Sequence, residues 1–252
     1  MLSRSRKMRF TVVLGVLGCM AVFPAWAAPE KTPPPQTVDS GSFGVFMDGK
    51  RVATETFSIQ QSSTGSSVTS TFKTDPGQAT AEQSSELQLS TNGELKSYEW
   101  KESSPGHAQA TVSPSQDFLT EHYRNSTDDK PHEQPFLLPV STSILDDYFF
   151  IQREVLAWKY LASSCKQDKG LACPLKTPAQ FGILNAHSRA SALVSVQFSG
   201  REKVLIRGAE KDLVRLDLKT DTGDWALWLD DQDHFKVQRI SNVESKTDAV
   251  RD

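Results

Sequence analysis

Cysteine is scarce in this chain, with only three residues among 252, at positions 19, 165 and 173. Loss of the N-terminal segment described below would leave Cys165 and Cys173, with no histidine close to them in sequence. Two thiols fall short of the four ligands of a structural zinc site, so we predict a disulfide between them and no metal. In the loop-entropy description, closing so short a loop contributes about 2–3 kcal/mol, and an oxidising compartment preserves the bond.

Long apolar runs are lacking beyond the first 27 residues. No later stretch approaches the roughly 18 residues of a membrane-spanning helix, so we predict no transmembrane segment in the mature chain. Residues 1–27 have the pattern of a signal peptide: basic residues, an apolar run from Phe10 to Phe23, and the small-x-small sequence Ala25-Trp26-Ala27. Cleavage after Ala27 predicts a periplasmic or secreted protein.

A lipoprotein signal is the alternative, in which Cys19 would be acylated and become the new N-terminus. The bulky Leu17 and the apolar continuation from Met20 to Phe23 disfavour it. Either pattern predicts that the chain leaves the cytoplasm.

An excess of positive charge is also absent. The sequence has 28 basic and 31 acidic residues, and removing residues 1–27 takes away four basic residues and no acidic one, which leaves a net charge of −7. Nucleic acid is therefore not an expected partner.

Recognisable catalytic motifs are missing. There is no His-Glu-x-x-His, no Gly-x-Ser-x-Gly and no glycine-rich phosphate loop. The acids Asp146, Asp147 and Glu154 and the scattered histidines form no constellation, and paired aspartates near a helix start are explained by the helix dipole. We predict no catalytic residue, no cofactor and no metal, and leave a hydrolase without a recognisable motif as a second alternative.

Alternating strands and turn dipeptides dominate residues 41–241. Asp48-Gly49 and Asn92-Gly93 are typical of two-residue hairpin turns, the second with a bulge on its return strand, and more turns are predicted at Ser199-Gly200 and Asp221–Asp224. About ten to twelve strands result, a number at which twisted open sheets curl. We predict a mainly β (α+β) fold, with a curled antiparallel meander sheet or half-open β-barrel and one central helix packed in its concave face.

The predicted domain has short flanks on both sides. Residues 28–40 include Pro29 and Pro33–Pro35, a composition typical of an extended tether. Nothing within residues 41–241 looks like a linker, so we predict a single β-rich domain there, followed by a C-terminal tail at residues 242–252.

The longest helical pattern runs from Ser143, a candidate N-cap, to Leu161. Its apolar residues fall on two adjacent stripes, so the helix needs apolar cover on more than one side and a concave sheet is expected around it. Such a sheet is a candidate ligand site, and the helix supplies the candidate lining residues Tyr148, Phe149, Ile151, Val155 and Trp158. The alternative interpretation is that these side chains are simply core.

Three segments carry a resemblance to a known group of proteins. The opening Phe43–Ile59 hairpin, the helical Leu145–Leu156 with Tyr160, and the closing Leu227–Arg239 hairpin resemble exported bacterial β-rich proteins of unknown function. Those proteins resemble in architecture the periplasmic lipoprotein carriers, the LolA/LolB-like half-barrel proteins. The resemblance implies a half-open barrel that shelters lipid chains under a helix.

Two function classes follow besides the hydrolase. The first is a non-enzymatic exported protein that binds or carries an apolar molecule (lipid, acyl chain or lipoprotein) between sheet and helix. The alternative is a protein-interaction or envelope-assembly module with a filled core, whose partner would be an envelope protein. A large cavity beneath the helix favours the carrier, and tight packing there favours the module.

Overall fold

The computed structural model describes residues 33–166, 171–221 and 223–252, whose strands build one open sheet. The strands are β1 (Gln36–Met47), β2 (Lys50–Ser62), β3 (Gly65–Thr74), β4 (Glu82–Leu89), β5 (Leu95–Ser104), β6 (Gln109–Ser115), β7 (Phe118–Arg124), β8 (His132–Phe136), β9 (Ser143–Ile144), β10 (Ala179–Asn185), β11 (Ala190–Ile206), β12 (Ala209–Thr220), β13 (Gly223–Asp230), β14 (Lys236–Asn242) and β15 (Thr247–Arg251). One helix, α1 (Ile151–Ser164), lies between β9 and β10 in sequence. The predicted fold class, mainly β with one helix, is confirmed.

Strand order follows two meanders that meet in the middle of the sheet. The order is β8-β7-β6-β5-β4-β3-β2-β1-β15-β14-β13-β12-β11-β10-β9. Among the described strands every neighbouring pair is antiparallel except β9 and β10, which are parallel. The first and last of the described strands, β1 and β15, are therefore central, and the edge strands β8 and β9 come from the middle of the sequence.

The predicted C-terminal tail is wrong, because residues 247–251 form β15, which pairs with β1 on one side and β14 on the other. The short, polar Thr247–Arg251 segment gives a weak strand pattern, and its neighbours across the sheet decide its structure. The predicted tether ends earlier than expected, since β1 begins at Gln36. Strands such as β15, β8 and β9 raise the number of strands among the described residues to fifteen, above the ten to twelve expected.

Turn chemistry accounts for most of the hairpins. Asp48 and Gly49 both have positive φ, 49° and 76°, which matches the primed turn predicted between β1 and β2. At the Asn92-Gly93 turn, the register shift beside Leu89 leaves the return strand with one extra residue, so the predicted bulge is confirmed. The turn predicted at Ser199-Gly200 is wrong: β11 runs through it with a bulge and turns at Arg207-Gly208, where both φ values are positive.

The helix begins at Ile151, eight residues later than predicted, and Ser143 belongs to β9 instead of capping the helix. Its first backbone donors bind a distant acid: Phe150 N and Ile151 N donate to Glu55 carboxylate oxygens, at 2.8 and 3.3 Å. Ser70 Oγ donates to the other oxygen of Glu55 at 2.7 Å. Because the residue that caps the helix lies on β2, no capping residue near Ile151 marks the helix start in the sequence. The prediction therefore included the preceding apolar loop in the helix.

Strands from both meanders enclose the helix. The four consecutive residues Ile151, Gln152, Arg153 and Glu154 are all buried, and at 100° per residue they point to every side of the helix. Trp158 Nε1 donates to Phe235 O at 2.9 Å, and Phe198 N on β11 donates to Tyr160 Oη at 3.1 Å. Glu55 reaches the same helix from β2, so the sheet curves around it.

A buried ion network ties this helix to the centre of the sheet. Glu154 Oε2 accepts hydrogen bonds from Val237 N and Arg251 Nη2, both at 2.7 Å. The same Arg251 Nη2 donates to Asp39 Oδ2 on β1 at 2.8 Å. One guanidinium of β15 therefore joins α1 to β1, with both carboxylates buried.

The predicted disulfide is confirmed, since Cys165 and Cys173 are bonded. Cys165 is the C-cap of α1 and its N–H donates to Leu161 O. The bond therefore fixes the chain just after the helix exit.

Within the described part of the chain, no helix is both long and apolar enough to span a membrane. The predicted signal peptide and Cys19 lie outside the described residues.

Glu55 predicts a pH dependence of stability. Burial raises its pKa from the ordinary 4.5 to about 7, although its hydrogen bonds with Ser70, Ile151 and Phe150 act in the opposite direction. The folded state therefore holds the proton of Glu55 more tightly than the unfolded chain does. The stabilisation that comes from this protonated side chain is complete below about pH 4.5 and is lost as the pH rises through about 7.

Glutamine has the same shape as glutamate and stays neutral at every pH. We therefore expect the free energy of unfolding of Glu55→Gln, relative to that of the parent protein, to rise by about 3 kcal/mol between pH 5 and pH 8. Urea unfolding at each pH measures the difference. Glu244→Gln, at an exposed position, controls for loss of one negative charge. A constant difference between Glu55→Gln and the parent across this range would contradict the assignment.

Candidate functional site

A cleft of about 860 Å³ lies between the helix and the first meander. Strands β1 to β4 and the turn after β4 form one wall, and one face of α1 with residues 142–144 forms the other. His234, from the turn before β14, closes part of the rim. The cleft is therefore bounded on one side by a sheet and on the other by a helix held from its opposite face.

The sheet wall carries a straight apolar row. Ile59 on β2 pairs with Val68 on β3, which pairs with Leu87 on β4. All three side chains line the cleft and are 2–3% exposed. Directly opposed residues on neighbouring strands project to the same face, so register alone aligns this row beneath the helix.

The helix wall combines apolar and polar side chains at helical spacing. Val155, Trp158 and Ala162 are three or four residues apart and line the cleft together. Gln152 and Lys159 lie on the same wall. The hydrogen bond from Trp158 Nε1 to Phe235 O holds the indole in place beside the cleft.

The predicted lining residues divide between the cleft and the core. Val155 and Trp158 line the cleft. Phe149 and Ile151 are fully buried in the core, as the alternative interpretation held. Tyr148 packs instead against Phe72, with ring centroids 5.2 Å apart. The cleft-facing stripe therefore contains two of the five predicted residues, and the prediction of a facing sheet named no residue of the strand wall.

Lys159 is the cation of the helix wall. Its Nζ donates to Ser141 O and, at 3.2 Å, to Ser143 Oγ. Burial lowers the pKa of the ammonium, and the charge of Glu94 opposes that shift only in part. The cleft thus has one ammonium donor, and its other lining side chains are apolar groups, hydroxyls and amides, with His234 at the rim.

The remaining buried acids lie on the other side of the helix start. Tyr98 Oη donates to Asp146 Oδ2 at 2.7 Å, and burial raises the pKa of Asp146. Burial also raises the pKa of Glu121 to about 8, although the charge of Arg189 lowers it, and neither oxygen of Glu121 has a hydrogen-bond partner among the described residues. Glu121 is therefore mostly protonated at neutral pH, and neither acid lines the cleft.

Histidines do not gather around these acids. His122 and His132 lie near Glu133 and Asp129 on the exposed β7–β8 hairpin. His187 packs at a tilt against Trp100, with ring centroids 4.6 Å apart, and is the single described histidine whose charge influences the pKa of Asp146, which it lowers. Across the residues that the structure describes, no group of three or more His, Cys, Asp or Glu side chains is arranged to hold a metal ion.

The chain matches no protein-family model, no curated protein and no solved structure. The chemistry of the cleft is therefore inferred from its own geometry.

Proposed function

We propose that this protein binds an apolar molecule, most simply a single acyl chain, in the cleft between α1 and strands β1 to β4. The observation that carries the proposal is the volume of about 860 Å³ next to the Ile59–Val68–Leu87 row. Binding sites for small molecules commonly measure about 300–1,000 Å³ and are mainly apolar with a few placed polar groups.

A filled core would have favoured an interaction module instead. The space of about 860 Å³ between the helix and the first meander is open to solvent and is not filled by the protein's own side chains. The helix also has a structural reason to stay in place without filling the cleft, since Glu55, Phe235 and Val237 bind it from other directions.

Export gives the proposal its biological setting. The predicted signal peptide supports a location in the periplasm or outside the cell. A half-open sheet around one helix is also the architecture that the resemblance to lipoprotein carriers implies. We infer that the protein carries its ligand through an aqueous compartment, and that the cleft keeps the apolar chain out of water. Each methylene that the cleft buries contributes about 0.8 kcal/mol to the binding free energy, so the affinity rises with the length of acyl chain that the cleft covers.

Trp158 provides a direct optical test, because its indole lines the cleft. A fatty acid brominated along its chain is expected to quench the fluorescence of the mature protein saturably. Trp158→Phe should remove most of that quenching. Trp228→Phe should keep it, since Trp228 packs with Val204, Ile206 and Leu213 in a separate cluster.

Two results would count against the proposal: no saturable quenching, or quenching that persists undiminished in Trp158→Phe. Mass spectrometry of solvent extracts from the purified protein then identifies any natural ligand that co-purifies.

A further inference from the structure

Lys159 has no carboxylate partner. Among the residues that the structure describes, no Asp or Glu oxygen lies within 4 Å of its Nζ, whose hydrogen bonds go to a carbonyl and a hydroxyl. Exposed lysines of the same chain do form such pairs, for example Lys203 with Glu210 at 2.8 Å. A half-buried cation in the cleft is costly without a counter-charge in contact with it, and Glu94, whose charge raises the pKa of Lys159, makes no ion pair with it. The missing anion is therefore expected to come from the ligand.

Gln152 gives a second, independent sign of a polar ligand atom. Its side chain is 1% exposed and lines the cleft, and its Oε1 accepts a hydrogen bond from Asp146 N at 2.6 Å. Its Nε2 makes no hydrogen bond of good geometry in the described part of the protein, although the amide does act on the Tyr98 hydroxyl, whose pKa it lowers. The amide has two N–H donors, and buried donors are nearly always paired, so with one directed at Tyr98 the other remains for an acceptor on the ligand.

The two groups share one wall of the cleft and one hydrogen-bonding character. Gln152 and Lys159 are seven residues apart, which places them on the same helix face two turns from each other. An ammonium and a free amide N–H both donate, so both favour oxygens that accept. The opposite wall has the apolar row of Ile59, Val68 and Leu87.

We propose that the cleft selects a single-chain amphiphile with an anionic headgroup, a carboxylate or a phosphate monoester, whose oxygens bind Lys159 Nζ while the acyl chain lies against the apolar row. This inference rests on the proposed function and specifies its ligand class. Lys159 then sets the direction in which the chain enters, with the headgroup beside residues 141–143 and the tail against β2 to β4.

The test compares ligands with the same tail and different heads. Palmitate, hexadecyl phosphate and uncharged hexadecanol are titrated at pH 8 into the parent protein, Lys159→Met, Lys159→Arg and Lys130→Met, with binding followed by Trp158 fluorescence. A charge-assisted hydrogen bond of about 1.5–3 kcal/mol predicts that the parent binds the better anion about 10- to 100-fold more tightly than hexadecanol.

Lys159→Met should bind all three ligands equally, and Lys159→Arg should keep most of the preference. Lys130→Met is the matched control, because Lys130 is exposed in the turn between β7 and β8 and does not line the cleft. Whether palmitate or the phosphate binds more tightly decides between the two headgroups.

The failures are distinguishable. Equal binding of anions and alcohol by the parent protein would overturn the headgroup assignment and leave the cleft as an apolar site. A preference that survives in Lys159→Met would overturn the role of this lysine. Absence of binding by all three ligands would overturn the proposed function itself.

Discussion

Replacing Arg251 by methionine is expected to lower the free energy of unfolding by about 3–5 kcal/mol at neutral pH. Its guanidinium is the shared partner of Glu154 and Asp39, which are 0% and 3% exposed. Removing the cation leaves the buried Glu154 without a charge partner and leaves Asp39 with Lys236 alone, whose Nζ is 3.7 Å from Asp39 Oδ1. Burial already raises the pKa of Glu154, and the charge of Arg251 is the first influence that opposes this shift. The loss should therefore be smaller at acid pH, where both acids can take up protons.

Urea unfolding of the mature protein measures this effect. Lys246→Met is the control in the same C-terminal hairpin, since Lys246 pairs with Asp48 at the surface with both side chains 71% exposed. Exposed pairs contribute little, about 0–1 kcal/mol. Equal stabilities of the two variants would show that β15 is not held through Arg251 as described.

Replacing Ala162 by tryptophan is expected to weaken acyl-chain binding about 100-fold. Ala162 is exposed, lines the cleft and lies one turn beyond Trp158, so an indole there projects into the space that the chain would fill. Displacing about four methylenes at about 0.8 kcal/mol each removes about 3 kcal/mol of binding free energy. Because no buried side chain is disturbed, stability should stay within about 0.5 kcal/mol of the parent.

Titration with the brominated fatty acid measures the affinity, and urea unfolding confirms the fold. Leu193→Trp is the matched control, since Leu193 is exposed on β11 and does not line the cleft. The control should bind as the parent does. Unchanged affinity in Ala162→Trp would place the ligand outside this cleft.

Local chemistry explains which parts of the fold were predictable. Asp48-Gly49 and Asn92-Gly93 predict their hairpins because the turns require positive φ at Asp48, Gly49 and Gly93. Period-two alternation then predicts the strands on either side. The disulfide between Cys165 and Cys173 is predictable because they are the two cysteines that remain after the predicted cleavage removes Cys19. The mainly β class with a single helix follows from these features together.

Tertiary partners explain the errors. The helix start depends on Glu55, about a hundred residues earlier in the chain, so no capping residue near Ile151 marks it. The polar Thr247–Arg251 segment is a strand because β1 and β14 supply partners on both edges. Neither dependence can be read from a window of neighbouring residues.

Only part of the candidate site could be predicted from the sequence, for a similar reason. Helical periodicity singles out Val155 and Trp158, but it also singles out Phe149 and Ile151, which are core. Only strand register shows that Ile59, Val68 and Leu87 form the facing row. Lys159 falls between the two apolar stripes in sequence, and its position in the cleft becomes apparent once its contacts with Ser141 and Ser143 are known.

A crystal structure of the mature protein with a fatty acid brominated along its chain tests the binding site most directly. We expect anomalous bromine peaks in the cleft, between Val155 and Trp158 on the helix and the apolar row on β2 to β4. Bromine elsewhere, or a cleft closed by the protein's own side chains with no ligand in it, would contradict the proposal that this space exists to hold an apolar chain.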